Sequence, residues 1–184
     1  MPVIDNELSP SPWVERHAHL VPAGAQVLDV AAGRGRHSRL FASRGAQVQA
    51  VDRDGSALAA LGSVAGVRTV VADLEAGPWP FAGRAFDAIV VTNYLHRPLI
   101  DTLLAALAPD GTLIYETFAV GNERFGRPSN RDFLLDPGEL LECVRGRLVV
   151  VAFEQGEVRL SRPAVVQRLA AVGMARGWPP ALSR

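Results

Sequence analysis

Three aspartates, Asp29, Asp52 and Asp73, sit at the ends of short apolar runs, "VLD", "VQAVD" and "VVAD". If the runs are neighbouring strands, the three carboxylates form a polar row along one rim of a sheet. Such a row suits an amine or a ribose diol, because a carboxylate offers two acceptor oxygens. Beside a pyrophosphate, Asp29 would be repulsive at close range. Within "LDVAAGRGRHS", residues 28–38, small residues at Ala31, Gly33 and Gly35 let the backbone approach a nucleotide-like ligand. The dinucleotide fingerprint asks for Gly-x-Gly-x-x-Gly. Aligned on Gly33 and Gly35 its third position is Ser38, and aligned on Ala31 and Gly33 it is Arg36, so neither register fits. The phosphate-loop pattern ends in Gly-Lys-Ser/Thr, and the chain contains no lysine.

The elements that must position these residues follow from pattern. "SPWVERHAHLV" (11–21) predicts a helix with Ser11 as cap and Pro12 in its first turn. Strands are predicted over 25–31, 46–54, 67–75, 86–93, 112–120 and 147–155, and helices over 36–45, 55–64, 99–108 and 136–146. Residues 163–173 fit a strand or a helix by pattern alone. Apolar strands without strict alternation, interleaved with helices, indicate a parallel sheet covered on both faces. Ligands on such sheets lie beyond the carboxyl ends of the strands, at the switch in strand order, and the 28–38 turn is at such an end.

"VLDVAAGRGRHS", "VDRD", "VADLE" and "FDAIVVTNYLH" together resemble the successive motifs of class I S-adenosylmethionine-dependent methyltransferases, over roughly residues 25–120. The resemblance implies S-adenosylmethionine as cofactor, S-adenosylhomocysteine as product, and a role for each motif residue. Asp29 would hold the methionine amino group, and Ala31, Gly33 and Gly35 would admit the ligand to the turn. Asp52 would accept from both ribose hydroxyls, with Arg53 beside it. Asp73 would accept from the adenine amine, with the Leu74 amide next to the ring. Thr92, Asn93 and Tyr94 would lie near the methyl group and the substrate. The family commonly has glycine where this chain has Ala31; a left-handed backbone is costly for alanine, so an ordinary φ is expected there. The segments after residue 125 look like the small tellurite-resistance type. On that resemblance 163–171 is a strand, giving a Rossmann-like α/β sheet of seven strands, order 3-2-1-4-5-7-6, with the last antiparallel.

Methyl transfer from a sulfonium needs mainly alignment, since the cofactor carries the reactive group, and a base only if the nucleophile arrives protonated. His96 is the candidate base, with Asn93 and Tyr94 beside it. Arg97 is a candidate for binding an anionic substrate. Arg124, Arg127, Asn130 and Arg131 lie in a Gly- and Pro-containing loop, and Arg159 and Arg162 in the terminal hairpin. An arginine-lined pocket would favour a carboxylate, phosphate or oxyanion; a solvated loop is the alternative. "TNYL" lacks the prolines of the Asn/Asp-Pro-Pro-aromatic motif expected for amine methylation of nucleic-acid bases. His17 and His19 sit on the first helix, and Cys143 reads as a packing residue.

The 184 residues suit one domain spanning 1–184, with equal numbers of acidic and basic residues excluding histidine. That neutrality counts against a dedicated nucleic-acid binder and favours a small-molecule acceptor for a monomer or homodimer. RNA or protein methylation remains as an alternative, as does a cofactor-binding module without turnover. A nicotinamide oxidoreductase is disfavoured by the missing third glycine. No apolar run is long enough to span a bilayer, and "MPVIDNELSP" does not read as a secretory signal. A single cysteine allows no intrachain disulfide, and the cytoplasm is the expected compartment.

Overall fold

The computed structural model describes residues 9–159, 163–180 and 182. Seven strands form one sheet: β1 (Gln26–Val30), β2 (Gln47–Asp52), β3 (Val67–Val71), β4 (Phe86–Thr92), β5 (Leu107–Phe118), β6 (Leu148–Val158) and β7 (Ala164–Gly173). Their order is β3-β2-β1-β4-β5-β7-β6, with β7 antiparallel to both neighbours and the β3-to-β5 block parallel. Order and orientation agree with the sequence-based expectation. The ambiguous segment at 163–173 is a strand because it fills the gap between β5 and β6. There its apolar residues are covered on both faces of the sheet.

The helices are α1 (Pro12–His17), α2 (Arg36–Ser43), α3 (Gly55–Leu58), α4 (Arg97–Ala105) and α5 (Glu139–Val144). Ser11 caps α1 with Pro12 at its first turn, and the Ser11 hydroxyl accepts the Trp13 amide at 3.1 Å. Because side chains alternate along a strand, the sheet feeds two cores. One packs Val27, Val48, Ala88, Val90 and Ile114 against Trp13, Val14 and Phe41 from α1 and α2. The other packs Leu28, Val30, Ile89, Val91 and Leu113 against Leu99 and Leu103 of α4 and Leu140 and Val144 of α5. The fourth helix begins and ends earlier than the apolar pattern predicts, so "PDG" falls inside β5 rather than closing the helix. Backbone pairing explains this: Phe86 pairs with Leu107 before the register shifts to Ala88 with Thr112. No helix among the described residues is long and apolar enough to cross a membrane.

A cleft at the carboxyl ends of β1 to β4

A cleft of about 230 Å³ opens at the rim where the strand order reverses, between β1 and β4 on one side and β2 and β3 on the other. Ala31, Asp52, Arg53, Ala72, Asp73, Leu74, Glu75 and Tyr94 line it. Asp52 ends β2 and ties two turns together. Its Oδ2 accepts the Gly33 amide and its Oδ1 the Asp54 amide, each at 2.8 Å. A carboxylate has about four lone-pair positions, so each oxygen keeps one for a second donor. That geometry suits two adjacent hydroxyls.

Asp73 is also on the wall, but its Oδ1 takes the amides of Glu75 (2.9 Å) and Ala76 (3.2 Å). These two amides hold its carboxyl below the usual range. The side chain shapes its own turn as well as facing the cleft. Glu75, which the sequence reading passed over, adds a third carboxylate. Next to it the Tyr94 hydroxyl is buried within reach of the Glu75 carboxylate, with no well-formed hydrogen bond among the described residues. Burial, followed by the nearby Glu75 and Asp73 charges, raises the Tyr94 pKa well above the phenol range, so the ring keeps its proton. Tyr94 is therefore a wall and a donor, not a base. Asn93 is exposed with φ 54°, a left-handed turn that asparagine tolerates better than most residues.

Ala31 corrects one expectation. Its φ is 52°, left-handed rather than ordinary. The turn requires it: the Ala32 amide reaches back to the Val51 carbonyl at 3.0 Å, and the Gly35 amide to the Ala32 carbonyl at 2.8 Å. Gly35, the residue before α2, is also left-handed, and a Cβ there would lie 2.3 Å from the Leu61 side chain. Ala31→Gly is thus expected to stabilise the protein by about 1 kcal/mol, because the left-handed region costs alanine about 1–2 kcal/mol and glycine's larger unfolded-state entropy takes part of it back. An upward shift of the urea midpoint at constant m-value would show it.

Asp29 does not line the open cleft. It is buried beneath the first turn of α2, where Oδ2 accepts the Ser38 hydroxyl at 2.6 Å. Burial pushes its pKa up to about 6 from an ordinary 3.8, although Ser38 and Arg36 pull the other way. The native state then holds this proton to higher pH than the unfolded chain does. Asp29's favourable contribution is complete below about pH 3.8 and disappears as pH rises through about 6. The swing is roughly 3 kcal/mol. Asp29→Asn is therefore expected to be close to wild type near pH 4 and more stable by roughly that amount at pH 7.5 without ligand. Urea unfolding of both proteins across this range checks the sign; parallel curves would mean that Asp29 is solvated.

His37 is the residue the sequence reading missed. It is buried on α2, with the Ser11 amide donating to Nε2 at 3.1 Å and Thr92 Oγ1 3.3 Å from Nδ1. Burial, helped by the Arg36 charge, lowers its pKa to about 3, so the ring is neutral. The Ser11 hydroxyl donates to Glu116 Oε1 at 2.8 Å, and Glu116 Oε2 pairs with Arg168 Nε at 2.6 Å. A polar chain thus runs from the end of β4 under α1 to β7. The sequence held a signal for its far end: a glutamate inside "TLIYETF" needs a buried cationic partner, and "VVQRLAA" supplies one.

The loop and hairpin arginines do not line the cleft. Arg97 forks onto Glu139 through Nε (2.7 Å) and Nη2 (2.9 Å) and also donates to the carbonyls of Asp132 and Leu134. It clamps α4 to α5 and to the loop before it, so its donors are engaged within the protein. Arg124 donates to the Gly121 carbonyl and faces Glu157 at 3.7 Å, Arg131 pairs with Asp136, and Arg159 pairs with Glu157 at 3.0 Å. Arg127 is exposed, and Asn130 caps its own short turn through the Asp132 amide. Arg162 lies outside the described residues. Of the described arginines only Arg53 lines the cleft. His96 occupies the position before α4, half-buried, without capping the helix through its side chain. His17 is buried against Trp13, and Cys143 is half-buried on α5, where burial raises its pKa.

Residues 27–111, from the first strand into the fifth, match the family model of a methyltransferase domain. TehB from Haemophilus influenzae superposes with a TM-score of 0.71 at 18% identity, covering 87% of this chain. This chain spans 60% of the length of that TehB chain. The 1,6-didemethyltoxoflavin-N1-methyltransferase of Burkholderia thailandensis, solved with S-adenosylhomocysteine, aligns at 25% identity and a TM-score of 0.64, covering 92% of this chain and 79% of its own. A TehB-like S-adenosylmethionine-dependent methyltransferase from Corynebacterium glutamicum aligns at 21% identity and a TM-score of 0.61, covering 87% and 86%. No curated protein matches the sequence. Residues 27–111 are thus similar to a methyltransferase domain, and the chain has the fold seen in these solved methyltransferases, TehB and a TehB-like protein among them.

Proposed function

We propose that this protein transfers a methyl group from S-adenosylmethionine to a small-molecule acceptor. The observation that carries the reading is Asp52: anchored by two backbone amides, it presents one further acceptor position on each oxygen at the mouth of the cleft. The other walls fit the same ligand. Ala31, Ala72 and Leu74 are small or apolar, Tyr94 offers a ring face, and Asp73 stands beside them as an acceptor for an exocyclic amine. About 230 Å³ is below the usual size of a whole ligand site, which suits the nucleoside half of the cofactor with its remainder along β1 and β4.

When bound, the cofactor supplies an electrophilic methyl group, and the protein's task is alignment, worth up to roughly 7–11 kcal/mol of a barrier. Asp52 fixes the ribose, and Asp29 meets the amino group directly or through water. Asn93, protonated Tyr94 and His96 frame the acceptor side. His96 is the group that takes a proton if the acceptor arrives protonated. Arg97, Arg124, Arg131 and Arg159 are paired with carboxylates within the protein, which counts against an arginine-lined anion pocket for the acceptor.

S-adenosylhomocysteine at about 100 times its Kd is expected to stabilise the protein by about 2.7 kcal/mol, raising the melting temperature, while NAD leaves it unchanged. Equal shifts with both, or none with S-adenosylhomocysteine, would overturn the assignment. His96→Ala is expected to slow turnover of an identified acceptor while leaving S-adenosylhomocysteine affinity intact. Loss of both together would make it a structural residue.

A further inference from the structure

The strand order sets how a bound nucleoside amino acid must lie. Asp52 ends β2, and Asp73 and Leu74 follow β3. On the other side of Asp52 are β1 and β4. With its ribose at Asp52 and its base beside Leu74, the cofactor extends its amino-acid end toward β1 and β4. There Val30 pairs with Val91, so Thr92 stands level with the Ala31 turn. An amino acid carries an ammonium and a carboxylate. Asp29, buried behind the turn, answers the first directly or through water; the second needs donors, and of the described arginines the cleft wall holds only Arg53, after β2.

The hydrogen bonds of His37 decide which way Thr92 can donate. A backbone amide only donates, so the bond from the Ser11 amide makes Nε2 an acceptor. In the neutral ring the proton is then on Nδ1, 3.3 Å from Thr92 Oγ1. Thr92 accepts from His37 and keeps its own hydroxyl proton for another partner. We infer that His37 is a positioning residue that turns the Thr92 hydroxyl into a donor for the carboxylate of the cofactor's amino-acid end. This rests on the proposed cofactor reading. It also gives Ser11 a purpose: its amide sets the tautomer of His37, and its hydroxyl is held by Glu116.

Two ligands separate the amino-acid end from the rest: S-adenosylhomocysteine, and 5′-methylthioadenosine, which keeps the nucleoside and thioether but lacks the amino acid. Calorimetric titration of each gives an affinity gap. Thr92→Val is expected to weaken S-adenosylhomocysteine about tenfold and 5′-methylthioadenosine by less than about twofold, the scale of one hydrogen bond to a charged group. His37→Gln keeps an acceptor for Ser11 but lacks the Nδ1 donor, and is expected to narrow the gap about fivefold. His37→Asn places an amide N–H where Nδ1–H stands and is expected to restore the gap to within about twofold of wild type. Equal losses on both ligands, or no loss on either, in Thr92→Val and His37→Gln would overturn the inference. If His37→Gln does not fold, Thr92→Val decides by the same rule. A wild-type protein that binds neither ligand would instead overturn the cofactor reading, a separate and recognisable result.

Discussion

Asp52→Ala is expected to weaken S-adenosylhomocysteine binding by about 100-fold or more while leaving a folded protein. The loss has two sources. A hydrogen bond to a charged acceptor contributes about 1.5–3 kcal/mol, and a ribose diol makes two of them. The same carboxylate also fixes the cleft, holding the Gly33 amide from the first turn and the Asp54 amide from the second. Without it both amides turn to water and the wall is no longer preorganised. Asp52→Asn separates the contributions: it keeps one acceptor oxygen, and its amide group repels one of the two backbone donors. Its affinity is expected to lie between wild type and Asp52→Ala. Isothermal titration measures the affinities, and circular dichroism confirms the fold. Affinity within about threefold of wild type for Asp52→Ala, far below the roughly 3 kcal/mol asked of two charged hydrogen bonds, would remove Asp52 from the site.

The largest effect on stability is expected at Glu116. Its carboxylate is buried between Ser11 and Arg168, with side-chain exposures of 10% for Glu116 and 15% for Arg168. Removing one member of a buried ion pair leaves an uncompensated charge, at about 3–5 kcal/mol. Glu116→Ala also frees the Ser11 hydroxyl that caps α1, while Arg168 keeps Glu154 at 3.4 Å, so an effect toward the lower part of that range is expected, read as a fall in the urea midpoint. Replacing both partners, Glu116→Leu with Arg168→Met, removes the stranded charge. The double variant is expected to be more stable than Glu116→Ala alone. A double variant as unstable as the sum of its parts would show that the pair matters by its shape rather than its charge.

Much of the fold was legible because it rests on local rules. Short apolar runs broken by turns alternate with amphipathic segments, and a parallel sheet follows. Ser11 and Pro12 announce the first helix. The rim acids were legible too, since Asp52 ends one apolar run and Asp73 follows another. Ala31 was not: its left-handed φ is imposed by the bonds of Ala32 to Val51 and of Gly35 to Ala32. Local propensity argues against it. Nor could spacing show that Arg97 belongs to Glu139, 42 positions away, or that the loop and hairpin arginines have local carboxylate partners.

The sequence by itself determined the alternation of strands and helices, the polar row at the strand ends and the poor fit to a dinucleotide loop. These depend on residue type and on spacing over a few positions. Only the tertiary structure decided which charges meet. Asp29 goes beneath Ser38 and Asp52 beneath Gly33, while His37 joins Ser11 to Thr92 across 26 and 55 positions of chain. Hydrogen bonding acts over about 3 Å in space, whatever the separation along the chain. The roles of these side chains were therefore set only when the sheet brought its strand ends together.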